Sequence, residues 1–139
     1  MRPITKELLE ELSNASDIDA FLKKHESDFL NKTPVHYLNE LITIKNMKIS
    51  DIARGSGAGE YVYKIFSGER KSSRDILISI AFAMCLTVDE TQLLLRISKF
   101  AVLDAREKRD SVIIFCLSRG CNVFETDDVL DGQNFVTLN

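Results

Sequence analysis

The chain has 139 residues, of which 45% are hydrophobic and 28% charged, values typical of one globular domain and not of a disordered chain. No apolar run approaches the roughly 18 residues of a membrane-spanning helix. The start of the chain, MRPITKELLEEL, lacks the apolar core of a secretory signal. Three cysteines without a CxxC pair indicate a reducing compartment and disfavour a disulfide framework. We therefore expect a cytoplasmic protein with no membrane association.

Charge is distributed unevenly along the chain, although the net charge is only −3. Residues 45–74 carry seven basic and three acidic side chains, a balance of +4, whereas residues 1–44 and 75–139 carry balances of −3 and −4. A basic window between two acidic flanks is a candidate surface for binding nucleic acid.

Helix signals recur in chain order, and strand signals are almost absent. Leu8, Leu9 and Leu12 have the spacing of one helical face, and residues 16–19 (Ser-Asp-Ile-Asp) have the form of a capping box. Residues 33–34 (Thr-Pro) fit an N-cap followed by proline in the first turn. We predict helices at residues 5–13, 17–30, 34–46, 48–55, 60–67, 74–86, 88–98, 105–118 and 123–131.

Three further segments support the later helices. Residues 87–90 (Thr-Val-Asp-Glu) and 122–125 (Asn-Val-Phe-Glu) repeat the capping-box spacing, and 72–75 (Ser-Ser-Arg-Asp) is a weaker version. The apolar run 112–115 is compatible with a strand, but its charged lead-in and total length favour a buried helix. The predicted fold class is all-α.

The central stretch carries the functional signal. Two short helices, 48–55 and 60–67, are separated by Ser-Gly-Ala-Gly at 56–59. The second can turn Val62, Ile65 and Phe66 inward and expose Glu60, Tyr61, Tyr63 and Lys64. It ends at Gly68, which is followed by basic residues. A short helix held by a partner helix, with amides and cations at its edges, suits the major groove of DNA.

This stretch resembles the Cro/λ-repressor-like (XRE) helix-turn-helix family. Residues 38–95, roughly 58 of the 139, follow its spacing. Leu38, Leu41, Met47, Ile52 and Ala53 stand at core positions of its first two helices, Val62 and Ile65 at inward positions of its recognition helix, Gly68 at its closing glycine, and residues 86–90 open its fifth helix.

The resemblance implies a λ-repressor-like five-helix helix-turn-helix core at residues 33–100. An N-terminal helical hairpin (1–32) would serve dimerisation or partner docking, and a C-terminal helix pair (101–139) would pack on the core. Such regulators commonly dimerise so that two recognition helices reach half-sites about 34 Å apart. The resemblance therefore implies a homodimer that binds double-stranded DNA, and the acidic terminal helices are candidate surfaces for a protein partner.

The same resemblance implies roles for individual residues. Lys48 would approach a phosphate, and Gly59 to Lys64 would face base edges, with Glu60 accepting from cytosine and Lys64 donating to guanine. Tyr61 and Tyr63 would contact thymine methyls or phosphate. A last group would clamp the DNA backbone: Arg70, Lys71 and Arg74. Structural explanations also exist, because Glu60 favours the helix dipole, the tyrosines can cover the surface, and residues 70–71 can form a solvated loop.

The leading hypothesis is thus a sequence-specific DNA-binding transcriptional regulator. The alternative is a protein-interaction adaptor that keeps the helix-turn-helix fold and no longer reads DNA. It is suggested by the net charge of −3, by Ile49, which stands where the family often has glutamine, and by two acidic flanks that each have an apolar face. The turn is also about one residue shorter than is usual in the family.

No enzyme, metal site or cofactor is expected. His25 and His36 have no carboxylate or cysteine motif beside them, and none of the common phosphate-loop, nucleophile or zinc-protease motifs occurs. Cys85 is predicted to lie in the core, and Cys116 and Cys121, near a helix end, to be buried thiols.

Overall fold

The computed structural model describes residues 5–24 and 32–139, and within these ranges all regular structure is α-helical. The predicted all-α class is therefore confirmed for this part of the chain. None of the helices seen there has the length and apolarity needed to cross a membrane. Residues 25–30 of the second predicted helix, and His25 with them, lie outside the described residues. The helices are α1 (Thr5–Asn14), α2 (Ile18–Lys24), α3 (Pro34–Ile44), α4 (Ile49–Ser56), α5 (Tyr61–Ser67), α6 (Arg74–Ala83), α7 (Val88–Ile97), α8 (Lys108–Ser118) and α9 (Val123–Gly132).

The chain divides into two compact units, residues 1–31 and 32–139. In the first, α1 and α2 are joined by an ion pair between Lys24 and Glu11. Phe21 is buried there, whereas four large apolar side chains are exposed: Leu9, Leu12, Ile18 and Leu22.

The second unit has a continuous hydrophobic core that contains side chains from all of its helices. Leu38, Ile52, Val62, Ile78 and Leu94 are completely buried. Helix α4 packs on α5 and α6, and α3 packs on α5 and α7. Helices α8 and α9 pair with each other and also contact α7 and α6 respectively, so the last two helices share this core.

Side-chain caps define most helix starts. The hydroxyl of Thr33 accepts a hydrogen bond from the His36 amide at 3.1 Å, as predicted. Both predicted capping boxes are confirmed as well, at residues 87–90 and 122–125, where the N-cap side chain and the glutamate carboxylate each bind the other residue's amide. These interactions satisfy backbone donors that have no partner inside the helix.

Two other caps lie one residue later than predicted. Asp17, not Ser16, accepts from the Asp19 amide at 3.0 Å. Ser73, not Ser72, is the N-cap of α6 and accepts from the Ile76 amide at 3.2 Å. Ser73 has the extended backbone that an N-cap needs. Where two polar residues stand side by side, spacing alone does not identify which one has this conformation.

Two Arg-Asp dipeptides join α6 to α8 by reciprocal ion pairs. Arg74 binds Asp110, with its closest nitrogen–oxygen distance at 2.9 Å, and Arg109 binds Asp75 at 3.1 Å. Asp110 is buried and also accepts from the Asp104 amide. Because charged groups buried without partners are strongly destabilising, this double ion pair fixes the start of α8 on the start of α6.

The prediction that Cys85 lies in the core is wrong. Helix α6 ends at Ala83, and Cys85 has a left-handed backbone with φ of 55° and an exposed thiol. The Leu86 amide then donates to the Ala81 carbonyl at 3.0 Å, which closes the helix end. Helical periodicity predicts a helix as far as residue 86, but the chain reverses after Ala83, and Leu86 returns to the core.

Candidate nucleic-acid interface

Helix α5 is oriented by packing, because seven residues are too few to form a stable helix in isolation. Three of its side chains, Val62, Ile65 and Phe66, are buried. The preceding turn uses positive φ angles at Gly57 and Gly59, 76° and 60°, which glycine adopts without the steric cost of a Cβ. The Gly59 amide donates to the Ala53 carbonyl at 3.2 Å. The turn therefore holds the start of α5 against α4.

The outer side of α5 presents Glu60, Tyr63 and Lys64 to solvent. We call these three residues the α5 surface. Tyr63 is 46% exposed, so its ring is available for contact with a partner. An open depression of about 620 Å³ lies beside the α5 surface, and it is lined by Ile49, Glu60, Tyr63, Lys64, Phe66, Ser67 and Glu69.

Tyr61 does not lie on this outer face, contrary to the prediction that the helix exposes it. Its ring is half-buried against the core, and its hydroxyl donates to the Lys71 carbonyl at 2.9 Å. The Arg70 amide donates to the Lys64 carbonyl at 3.2 Å. These two hydrogen bonds, together with the left-handed Gly68, fix the loop that carries Arg70 and Lys71 to the end of α5.

Four exposed cations belong to the α5 surface or lie close to its residues in the sequence. Lys48 is the N-cap residue of α4, Lys64 belongs to α5, and Arg70 and Lys71 follow it. All four are exposed, and none takes part in the ion pairs found among residues 5–24 and 32–139. Their charges are therefore available to an anionic partner.

Arg74 differs from these four cations. Its guanidinium donates to Asp110 and to the carbonyls of Ala101 and Val102, and only 23% of its side chain is exposed. Binding a phosphate would require it to give up these hydrogen bonds. We therefore do not include Arg74 in the candidate interface.

Part of the lining of the depression does not follow from the sequence pattern. Phe66, Ser67 and Glu69 line it, and of these three the sequence predicts a position only for Phe66, as an inward core residue. Glu69 adds a second carboxylate beside Glu60. The position of Ser67 and Glu69 at the end of a short exposed helix, just before basic residues, was the signal that could have identified them.

The described residues contain no cluster of three histidine, cysteine or acidic side chains suited to a metal ion. His36 is exposed near the start of α3, with its Nε2 4.0 Å from a Glu40 oxygen.

Comparisons with protein-family models, with characterised proteins and with solved structures find no match to this chain.

Proposed function

We propose that the chain is a DNA-binding transcriptional regulator of the λ-repressor-like (XRE) helix-turn-helix type, and that it inserts α5 into the major groove. One observation carries the proposal. Helix α5 is fixed by three buried side chains and exposes polar groups on its outer side, and four exposed cations (Lys48, Lys64, Arg70 and Lys71) have no ion-pair partner in the part of the chain that the structure describes. Such a combination suits entry into a groove bordered by phosphates.

The roles of the groups differ by position. Lys48, Arg70 and Lys71 contact phosphates and set the orientation of the protein on the duplex. Lys64 donates to guanine O6 or N7, the ring of Tyr63 packs on a thymine methyl, and Glu60 accepts from cytosine N4. Tyr61 contributes indirectly, through its hydrogen bond to the Lys71 carbonyl, which positions the loop cations.

The regulator is proposed to act as a homodimer. Two recognition helices related by a two-fold axis read half-sites one helical turn apart, about 34 Å. A two-fold symmetric operator is the expected target, and an acidic terminal helix face is the proposed site for a protein partner.

The first test is binding to random-sequence and genomic duplex pools over a salt range from about 50 to about 300 mM, followed by sequencing of the retained DNA. Three phosphate contacts per subunit predict a slope of about −3 per subunit for log affinity against log salt. Enrichment of a two-fold symmetric motif is expected. Wild-type protein without salt-sensitive DNA binding would refute the proposal.

A pair of double variants makes the test specific for the interface. Lys64→Ala with Arg70→Ala should lower affinity at least about tenfold and reduce the salt slope by about 1 to 2. The control, Lys108→Ala with Arg119→Ala, removes the same charge from exposed positions on α8 and just after it. Equal losses in both double variants would mean that DNA is bound through net charge and not through α5.

The second candidate function is a protein-interaction adaptor. It is favoured by the lining of the depression beside the α5 surface, where apolar Ile49 and Phe66 lie with the carboxylates of Glu60 and Glu69. Carboxylates repel phosphate but suit a basic protein surface. Weak, unselective DNA retention together with a stoichiometric protein partner covering residues 60–71 would support this function over the first.

A further inference from the structure

A second cavity, of about 350 Å³, lies on the inner side of the loop that connects α5 to α6. The start of α3, the end of α5, helix α6 and the end of α7 enclose it. Its volume lies within the range of small-molecule sites, which are mostly apolar with a few convergent polar groups.

The cavity wall has two chemically distinct parts. One part is apolar and consists of Pro34, Val35, Ile65, Leu77, Ile97 and Phe100. The other carries three cations, Arg70, Lys71 and Lys99, together with the hydroxyls of Ser72 and Ser98. None of the three cations belongs to an ion pair within the described residues, and no carboxylate lines the cavity. The excess positive charge therefore has no counterion among the residues that the structure describes.

We propose that this cavity binds a small organic carboxylate with an aromatic or branched aliphatic body. The apolar part of the wall accommodates the body, and burying that surface provides the non-directional part of the affinity. The carboxylate lies at the cationic rim, where the Arg70 guanidinium offers a geometry suited to two parallel hydrogen bonds with a carboxylate. A sugar phosphate fits less well, because its polar hydroxyls would lose their hydration against the apolar wall.

Binding at this site has a consequence for the loop of residues 68–72. Arg70 and Lys71 line the cavity and also belong to the proposed phosphate-binding set. A carboxylate that engages these cations from the inner side competes with a DNA phosphate for the same charges. This antagonism rests on the proposed function, whereas the ligand site itself does not.

The test is a titration of the full chain with phenylpropionate and with branched isocaproate, followed by amide chemical shifts. We expect the Gly68, Leu77 and Phe100 amides to shift on addition of either acid. Phenylpropionamide, which has the same body without the charge, should bind at least about tenfold more weakly. Equal affinity of acid and amide, or no shift at these amides with either acid, would overturn the proposal.

Variants distinguish the cavity from other apolar surfaces. Lys99→Gln removes an exposed rim charge, and we expect it to weaken phenylpropionate binding several-fold; Lys108→Gln on α8, which does not line the cavity, should leave binding unchanged. Val35→Phe places a ring in the apolar part and should abolish binding. If Val35→Phe does not fold, the comparison of phenylpropionate binding by Lys99→Gln and Lys108→Gln still tests the site. Equal affinity of these two variants for phenylpropionate would refute it.

A DNA competition separates this proposal from the previous one. Phenylpropionate should weaken DNA binding by the wild type, and by less in Lys99→Gln. A chain that binds the acid but no DNA overturns only the proposed function. A chain that binds DNA but neither acid overturns only the ligand site.

Discussion

Arg70 and Arg74 are separated by only three residues in the sequence, but their side chains have different environments. Arg70 is exposed in a loop and has no ion-pair partner among the described residues. Arg74 is mostly buried and binds Asp110 and two carbonyls. The first guanidinium remains available for a ligand, and the second contributes to the stability of the fold.

This difference extends to the whole basic window. Lys45 pairs with Glu90 at 3.4 Å, Arg54 pairs with Asp51, and Arg74 pairs with Asp110. The remaining cations of the window, Lys48, Lys64, Arg70 and Lys71, are exposed and have no ion-pair partner among the described residues. The charge balance of +4 therefore does not identify the unpaired cations by itself, because the internal ion pairs determine which cations of the window keep an uncompensated charge.

The largest expected effect is at the buried carboxylate. Asp110→Ala leaves the Arg74 guanidinium partly buried without its counterion, and we expect the free energy of unfolding to fall by about 3 kcal/mol. Arg70→Ala removes an exposed charge and should change it by less than about 0.5 kcal/mol. Urea unfolding measures both. Similar values for the two variants would contradict the distinction between Arg70 and Arg74.

A double-mutant cycle sharpens this test. The coupling between Arg74→Met and Asp110→Ala isolates their pairwise interaction, because residues in one ion-pair network are not additive. We expect the double variant to be more stable than the sum of the two single effects implies. Strict additivity would show that Arg74 gains its stability from the Ala101 and Val102 carbonyls alone.

An intermediate effect is expected in the turn before α5. A Cβ at Gly57 would lie 3.1 Å from the Asn139 side chain, whose amide donates to the Ser56 carbonyl, whereas a Cβ at Gly59 meets nothing within 4 Å. Each alanine incurs the left-handed strain of about 1 kcal/mol. Gly57→Ala should lower the free energy of unfolding by about 1 kcal/mol more than Gly59→Ala does, because it also displaces the hydrogen bond from Asn139 to the Ser56 carbonyl.

The control is the same pair of substitutions in an Asn139→Ala background. There the side-chain atoms that a Cβ at residue 57 would meet are absent, so Gly57→Ala and Gly59→Ala should become equally destabilising. A difference that persists in this background would mean that strain at Gly57, and not its contact with Asn139, decides the effect.

Much of the helical architecture could be predicted because its signals are local. Capping residues within four positions, such as Thr87 with Glu90, and apolar spacing define helix starts and buried faces. The inward set of α5, Val62, Ile65 and Phe66, was also predicted and is buried. Local signals fail at helix ends, which explains the error at Cys85.

The candidate site could be predicted only in part, because its composition depends on contacts between distant segments. Glu60, Tyr63 and Lys64 share one face by helical periodicity alone. The Arg74 guanidinium is held by Asp110, thirty-six residues away. The Tyr61 hydroxyl is held by the backbone carbonyl of Lys71 in the loop. Neither partner follows from periodicity. The sequence therefore predicted that Arg74 binds the DNA backbone together with Arg70 and Lys71.

The smallest expected effect concerns two cysteines, which differ in solvent exposure as Arg70 and Arg74 do. Cys85 is exposed and Cys116 is buried. Burial raises the pKa of the Cys116 thiol above its ordinary value, and the neighbouring Cys121 raises it further. A hydrogen bond with Thr126 lowers this pKa, but its effect is smaller than that of burial. Because the thiolate is the reactive form, iodoacetamide should label Cys85 first and Cys116 last.

Mass spectrometry of protein labelled for increasing times gives the order, and raising the pH extends the test. The folded state favours the neutral Cys116 thiol, so its contribution to stability is fully present below the unfolded thiol pKa, about 8.5. That contribution is lost as the pH rises through the higher folded pKa. Cys116 labelling should therefore increase above pH about 8.5 as unfolding becomes easier, whereas labelling of Cys85 requires no unfolding. Equal labelling rates for the two thiols at neutral pH would contradict the burial of Cys116 between α8 and α9.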